Sequence, residues 1–119
     1  MNEEPLRIGK IKKAVEERLE IDIGDDHYVY MLSEALDAFA KAYPETYLAK
    51  LEGLREVLSH PDFIRYEDKA IILDRFYCNK GKYSIVRLRI EKHQKWLFSS
   101  LESKSFRFEE RDSDALRFA

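Results

Sequence analysis

Three side chains in this sequence, His27, His60 and His93, are of the type most often used to give and take protons. His60 follows Val57-Leu58-Ser59 at an expected helix C-terminus, where the helix dipole favours its charged form. There it could serve as a general acid or base, or simply cap the last carbonyls. His93 stands beside Lys92 and Lys95 in an expected loop, either solvated or facing an anion, and His27 beside Asp25-Asp26 offers less. Arg87 and Arg89 are two residues apart, so on a strand their guanidinium forks share a side and suit neighbouring phosphates; the alternative is pairing with Asp74 or Glu102. Such groups together could meet the needs of a phosphodiester, which are a base and an acid for proton transfer and cations for the crowded phosphate. Ser99 and Ser100 lack the Gly-x-Ser-x-Gly turn of a hydrolase nucleophile and could at most donate hydrogen bonds to such a phosphate.

The charge pattern points the same way. Lys69, Arg75, Lys80, Lys82, Arg87, Arg89, Lys92, Lys95, Lys104 and Arg107 face only Asp74, Glu91 and Glu102 in residues 69–107, a net of +7. Residues 1–68 hold nine bases and sixteen acids, and the whole chain is at −2. A basic surface of this kind concentrates polyanions. Arg75, Lys80, Lys82, Tyr83, Arg89, Lys92, His93 and Lys95 are therefore the candidate contacts to a nucleic acid. Of the aromatics, Tyr83 shares the arginine face and could stack a base, whereas Trp96 and Phe98 read as core. Cys78 stands alone, which excludes an internal disulfide, and its apolar strand setting reads as a packed thiol. Glu16-Glu17 and Asp25-Asp26 lack the spacing of a calcium loop and read as helix solvation and capping. No metal and no cofactor are expected.

The elements that must hold these residues follow from periodicity. Pro5 and the spacing Ile8, Ile11, Val15, Leu19 predict a first helix; Tyr28, Leu32, Leu36, Phe39 and Tyr43 a second; Pro44 to Ser59 a third, which Gly53 weakens or opens to close packing. Ala70–Cys78 and Tyr83–Ile90 read as a hairpin about Asn79-Lys80-Gly81-Lys82, Lys95–Leu101 as a third strand and Ser105–Phe108 as a fourth. At 119 residues the chain should form one domain, with a helical part over residues 5–60 and a sheet over 69–108. The expected class is α+β, with N-terminal helices packed on one face of a C-terminal antiparallel sheet of three to four strands. If Arg75, Arg87 and Arg89 occupy the open face, the charge split becomes a spatial one. No apolar run approaches the roughly 20 residues of a membrane span and the N-terminus is acidic, so a cytoplasmic protein is expected.

From Leu19 to Phe106 the layout resembles the phage-associated members of the barnase, EndoU, colicin and RelE-like nuclease superfamily, small metal-independent RNA-cleaving domains. The resemblance lies in Ile21-Asp22-Ile23 with Asp25-Asp26, Ala42-Tyr43-Pro44-Glu45, Val57-Leu58-Ser59-His60-Pro61-Asp62-Phe63-Ile64 and Lys95-Trp96-Leu97-Phe98-Ser99-Ser100. It implies an endoribonuclease-like domain with His60, Tyr43, Arg87, Ser99 and Ser100 as catalytic candidates. Tyr43 stands where many of these domains carry histidine, so the acid–base half of the site would be weakened or lost. The expected partner is RNA or another polyanion, with an antitoxin-like or immunity-like protein as a further one. The alternative is a non-enzymatic interaction module of phage or mobile-element origin.

Overall fold

A computed structural model of the chain describes residues 5–79, 82–105 and 116–117. Strand β1 (Leu6–Lys10) leads into helix α1 (Lys13–Leu19), and strand β2 (Tyr28–Met31) into helices α2 (Ser33–Ala42) and α3 (Tyr47–Ser59). Strands β3 (Phe63–Glu67), β4 (Ala70–Asn79), β5 (Lys82–His93), β6 (Lys95–Ser105) and β7 (Leu116–Arg117) follow. The seven strands form one sheet in the order β1-β2-β6-β5-β4-β3-β7. Its pairs are antiparallel except β2 with β6, where Val29 and Tyr30 run parallel to Trp96 and Leu97. No described helix is long and apolar enough to cross a membrane.

The α+β class holds, but the strand count and the division into a helical half and a sheet half do not. Two helices start later than their apolar spacing implied, because Leu6–Lys10 and Tyr28–Met31 are strands. Leu6-Arg7-Ile8 also alternates apolar and polar residues, Tyr28–Met31 is an aromatic and apolar run that suits a strand, and the two segments pair, Leu6 with Met31 and Lys10 with Tyr28. That pairing buries Ile8, Val29 and Met31, a gain that local helix propensity does not match. The strand β3 is additional to those expected, the first of which began at Ala70. Its hairpin to β4 turns on Asp68 and Lys69, both in the left-handed region (φ 51° and 62°), instead of on the asparagine or glycine that normally marks such a turn. The hairpin of β4 and β5 is as expected, with Asn79 opposite Lys82, while residues 80–81 and 106–108 lie outside the described set.

Alternation along the strands decides what the helices cover. Ile64 of β3, Ile71 and Leu73 of β4, Leu88 and Ile90 of β5, and Trp96 of β6 pack with Val15, Phe39, Leu54, Val57 and Leu58 from the helices. Phe39 meets Phe98 edge to face at 6.1 Å, and the buried Trp96 ring donates its Nε1–H to the Ile23 carbonyl at 3.0 Å, so its one polar atom is satisfied. Helix α3 packs on β1, β4 and β5, and α1 reaches β3. Trp96 and Phe98 are thus core, whereas Cys78 is exposed, contrary to the packed thiol its neighbours implied, because it alternates onto the side the helices leave open.

Gly9 marks the closest approach of strand to helix, since a Cβ there would stand 2.6 Å from Leu58 Cδ1. Leu58 is itself fully buried and has little room to yield. Gly9→Ala should cost about 1–3 kcal/mol in urea denaturation, and less in a Leu58→Ala background, where the colliding methyl is gone.

Candidate functional site

On β5, Tyr83, Ile85, Arg87, Arg89, Glu91 and His93 point away from the helices. Opposite them stand Ile72 and Asp74 on β4 and Ser100 and Glu102 on β6. The two arginines therefore look outward as expected, but they are not unopposed. Arg87 holds the buried Asp74 carboxylate through two bonds, Nε to Oδ1 at 2.8 Å and Nη2 to Oδ2 at 2.9 Å. Arg89 Nε donates to Glu91 at 3.1 Å, and His93 Nε2 lies 3.3 Å from the other oxygen of that carboxylate. The bonds from Arg89 and then His93 hold Glu91 below the usual carboxylate range. Arg65 on β3 likewise reaches Glu67 at 3.2 Å.

Cations with aromatic neighbours gather instead at the β1–β2–β6 corner of the same face. The Arg7 guanidinium lies 4.6 Å and the Lys10 ammonium 5.8 Å from the centre of the Tyr28 ring, and Lys95 Nζ 4.5 Å from that of Tyr30. Asp26, in the turn before β2, accepts the Tyr28 N–H at 3.0 Å and the Tyr30 hydroxyl at 2.8 Å. These two bonds depress the Asp26 pKa, and the same carboxylate pushes the Tyr30 hydroxyl up. Of the Asp25-Asp26 pair, Asp26 does cap, but it caps the entry to a strand. Of this cluster only Lys95 was a sequence candidate. Arg7, Lys10, Tyr28 and Tyr30 were missed because their segments read as helix, although the aromatic and β-branched residues of Tyr28-Val29-Tyr30 carried a strand signal.

The remaining candidates lie on the helical side. Arg75 does not join Arg87 on the open face, because it pairs across the sheet with Val86 and so points at α3. There its Nη2 sits 2.9 Å from Glu56, its Nη1 donates to the His60 carbonyl at 2.6 Å, and its guanidinium lies 5.5 Å from the Tyr77 ring centre. Lys92 also turns inward, donating to the Ile23 carbonyl at 3.3 Å and lying 5.4 Å from the Trp96 ring centre. Tyr43 packs on Phe39 at 5.1 Å, with Lys50 Nζ 5.0 Å from its own ring centre. Together with Gly53, Glu56, Tyr77, Ser84, Val86, Leu101 and Ser103, Tyr43 and Lys50 line a cleft of about 470 Å³ between α3 and the sheet. Burial, and then the nearby Glu56 charge, raise the Tyr77 pKa, so its hydroxyl stays protonated at neutral pH.

The catalytic candidates consequently do not converge. Arg87 and Ser100 occupy the open face, Tyr43 and the exposed His60 the helical side, with the sheet between them. His60 ends α3 through its own backbone N–H, which donates to the Glu56 carbonyl at 2.8 Å. Ser99 is exposed where the β5–β6 register slips. Lys80 lies outside the described residues, as do the Lys82 and Lys104 side chains and Arg107. Among the described residues no three of His, Cys, Asp and Glu are grouped so that they could hold a metal ion. No family model matches the chain, and neither a curated protein nor a solved structure was found to match it.

Two measurements test this account of the face. Arg87→Ala would leave the buried Asp74 carboxylate without its fork and should destabilise the protein by about 2–3 kcal/mol, below the cost of a fully buried pair because Arg87 is partly exposed. Asp26 has a lowered pKa in the fold, so its contribution is present above the unfolded value of about 3.9 and is lost as pH falls through the folded value. Asp26→Asn should therefore lower the melting temperature at pH 7, and the gap to the parent protein should narrow by pH 3.

Proposed function

We propose that this chain is an RNA-binding domain that engages single-stranded RNA on the sheet face opposite the helices and does not cleave it with the residues named above. The observation that carries the reading is the β1–β2–β6 corner, where Arg7, Lys10 and Lys95 surround Tyr28 and Tyr30 on a surface no described helix packs against. An exposed tyrosine ring on an open sheet is a platform for an unpaired base, and the cations that now lie over the rings would swing aside to the phosphates as a base stacks. Tyr28 is 38% exposed and Tyr83, farther along the face, 50% exposed, whereas Tyr30 is buried and serves to hold Lys95 and Asp26 beside Tyr28. Arg87 and Arg89 lie between the corner and Tyr83, where their carboxylate partners would hold their forks in place for a passing strand.

The reading keeps the nucleic-acid half of the nuclease resemblance and drops the catalytic half. Cleavage at the 2′-hydroxyl needs an acid and a base on one phosphate, and His60 and Tyr43 lie across the sheet from Arg87. Fluorescence anisotropy with a labelled single-stranded RNA is the test. Binding should weaken with salt, and Arg7→Gln with Lys95→Gln should reduce the log–log slope by about 1.4, roughly 0.7 for each phosphate no longer neutralised. Tyr28→Ala should cost about 1–3 kcal/mol of affinity. Absence of binding in low salt, or a slope indifferent to both substitutions, overturns the proposal. RNA turnover in EDTA that vanishes in His60→Ala overturns its non-cleaving part.

A further inference from the structure

Gly53 sits in the interior of α3, where glycine is about 1 kcal/mol less favourable than alanine. Neither usual structural reason for it applies. It is not among the positive-φ residues, and a Cβ built on it would meet none of the described residues within 4 Å. Gly9, by contrast, is demanded by Leu58. What the missing side chain does is leave room in the cleft between α3 and the sheet, which it lines.

That cleft has the character of a site for a flat ligand. Its floor is Val86 and Leu101 from adjacent strands, Tyr43 and Tyr77 supply rings, and Ser84 and Ser103 bring hydroxyls to the apolar surface. Among its described lining residues the one cation, Lys50, lies over the Tyr43 ring and is outnumbered by Glu52 and Glu56, a balance that does not favour a phosphate. Backbone left bare by glycine allows a ring to lie directly against a helix. The volume is within the range of small-molecule sites, and an apolar lining with a few converging polar groups is their usual make-up.

We propose that the cleft over Gly53 binds a neutral, planar heterocycle with hydrogen-bonding edges, of the nucleobase class, stacked between the α3 backbone and the tyrosine rings. This site lies on the opposite side of the sheet from the RNA face and does not depend on it. The Tyr77 hydroxyl, protonated at neutral pH, is available to donate to a ring nitrogen or carbonyl.

Isothermal titration of the full chain with adenosine, guanosine, cytidine and uridine, which carry no phosphate, tests the assignment, with ribose 5-phosphate as control. At least one nucleoside should bind saturably and the control should not. Gly53→Leu, which fills the space, should weaken that binding at least tenfold while raising the melting temperature, which shows that the variant is folded. Arg7→Gln with Lys95→Gln, on the other face, should leave it unchanged. The proposal fails if no nucleoside binds, if the control binds equally well, if Gly53→Leu binds like the parent, or if the open-face variant loses binding.

Discussion

The two-residue period of the β-strand is the constraint on which the rest of this molecule depends. Helices can bury one side of the sheet, so each residue of β4, β5 and β6 is assigned either to the core and its cleft or to the open face. Arg75 and Arg87 belong to the same hairpin, yet one meets Glu56 on α3 and the other Asp74 on the far side. A slip of one residue would exchange them and would turn Leu73, Leu88 and Ile90 away from the helices that bury them. Burial of those side chains therefore fixes the placement of the charges, and any binding surface inherits it.

This is why the charge pattern of the sequence overstated the basic surface. A net of +7 over residues 69–107 describes the chain, but electrostatics act through space, and carboxylates from elsewhere arrive at the arginines. Glu56 comes from a helix, and Glu67 neutralises an arginine of the acidic half. Even the few acids inside the basic segment are placed to good effect, Asp74 and Glu91 each taking one guanidinium. Asp74 could not be buried otherwise, since an unpaired carboxylate in that position would cost several kcal/mol. Of the three cations at the β1–β2–β6 corner, Arg7 and Lys10 belong to β1, a segment whose local charge pattern offered no reason to count it.

What was legible was what local chemistry determines. The hairpin of β4 and β5, the strand from Lys95, the bulk of α2 and α3, the outward pair Arg87 and Arg89 and the buried Trp96 follow from alternation, helical spacing and turn residues. What was not legible depends on distant partners. Strand β1 exists because β2 pairs with it, and β2 is fixed on its other side by a parallel pairing to β6, far along the chain. Isoleucines at positions 8 and 11 satisfy a helical stripe as well as a strand followed by a helix, so their spacing could not decide between the two. The candidate site failed in the same way. Tyr43, His60, Arg87 and Ser100 are plausible one at a time, and only the sheet between them shows that they cannot act together.

Two glycines on the helical side make the same argument from energetics. Gly9 and Gly53 are indistinguishable by type, and each forgoes the backbone restriction that a side chain would give. At Gly9 the return is visible, because β1 lies against Leu58 and the core closes. At Gly53 no contact among the described residues offsets the cost, and filling the position would stabilise the helix while removing an opening. Proteins commonly retain such costs where function needs the space. A residue that weakens its own element without serving the fold therefore points to something outside the chain, and here it does so at a cleft whose rings and hydroxyls already face inward.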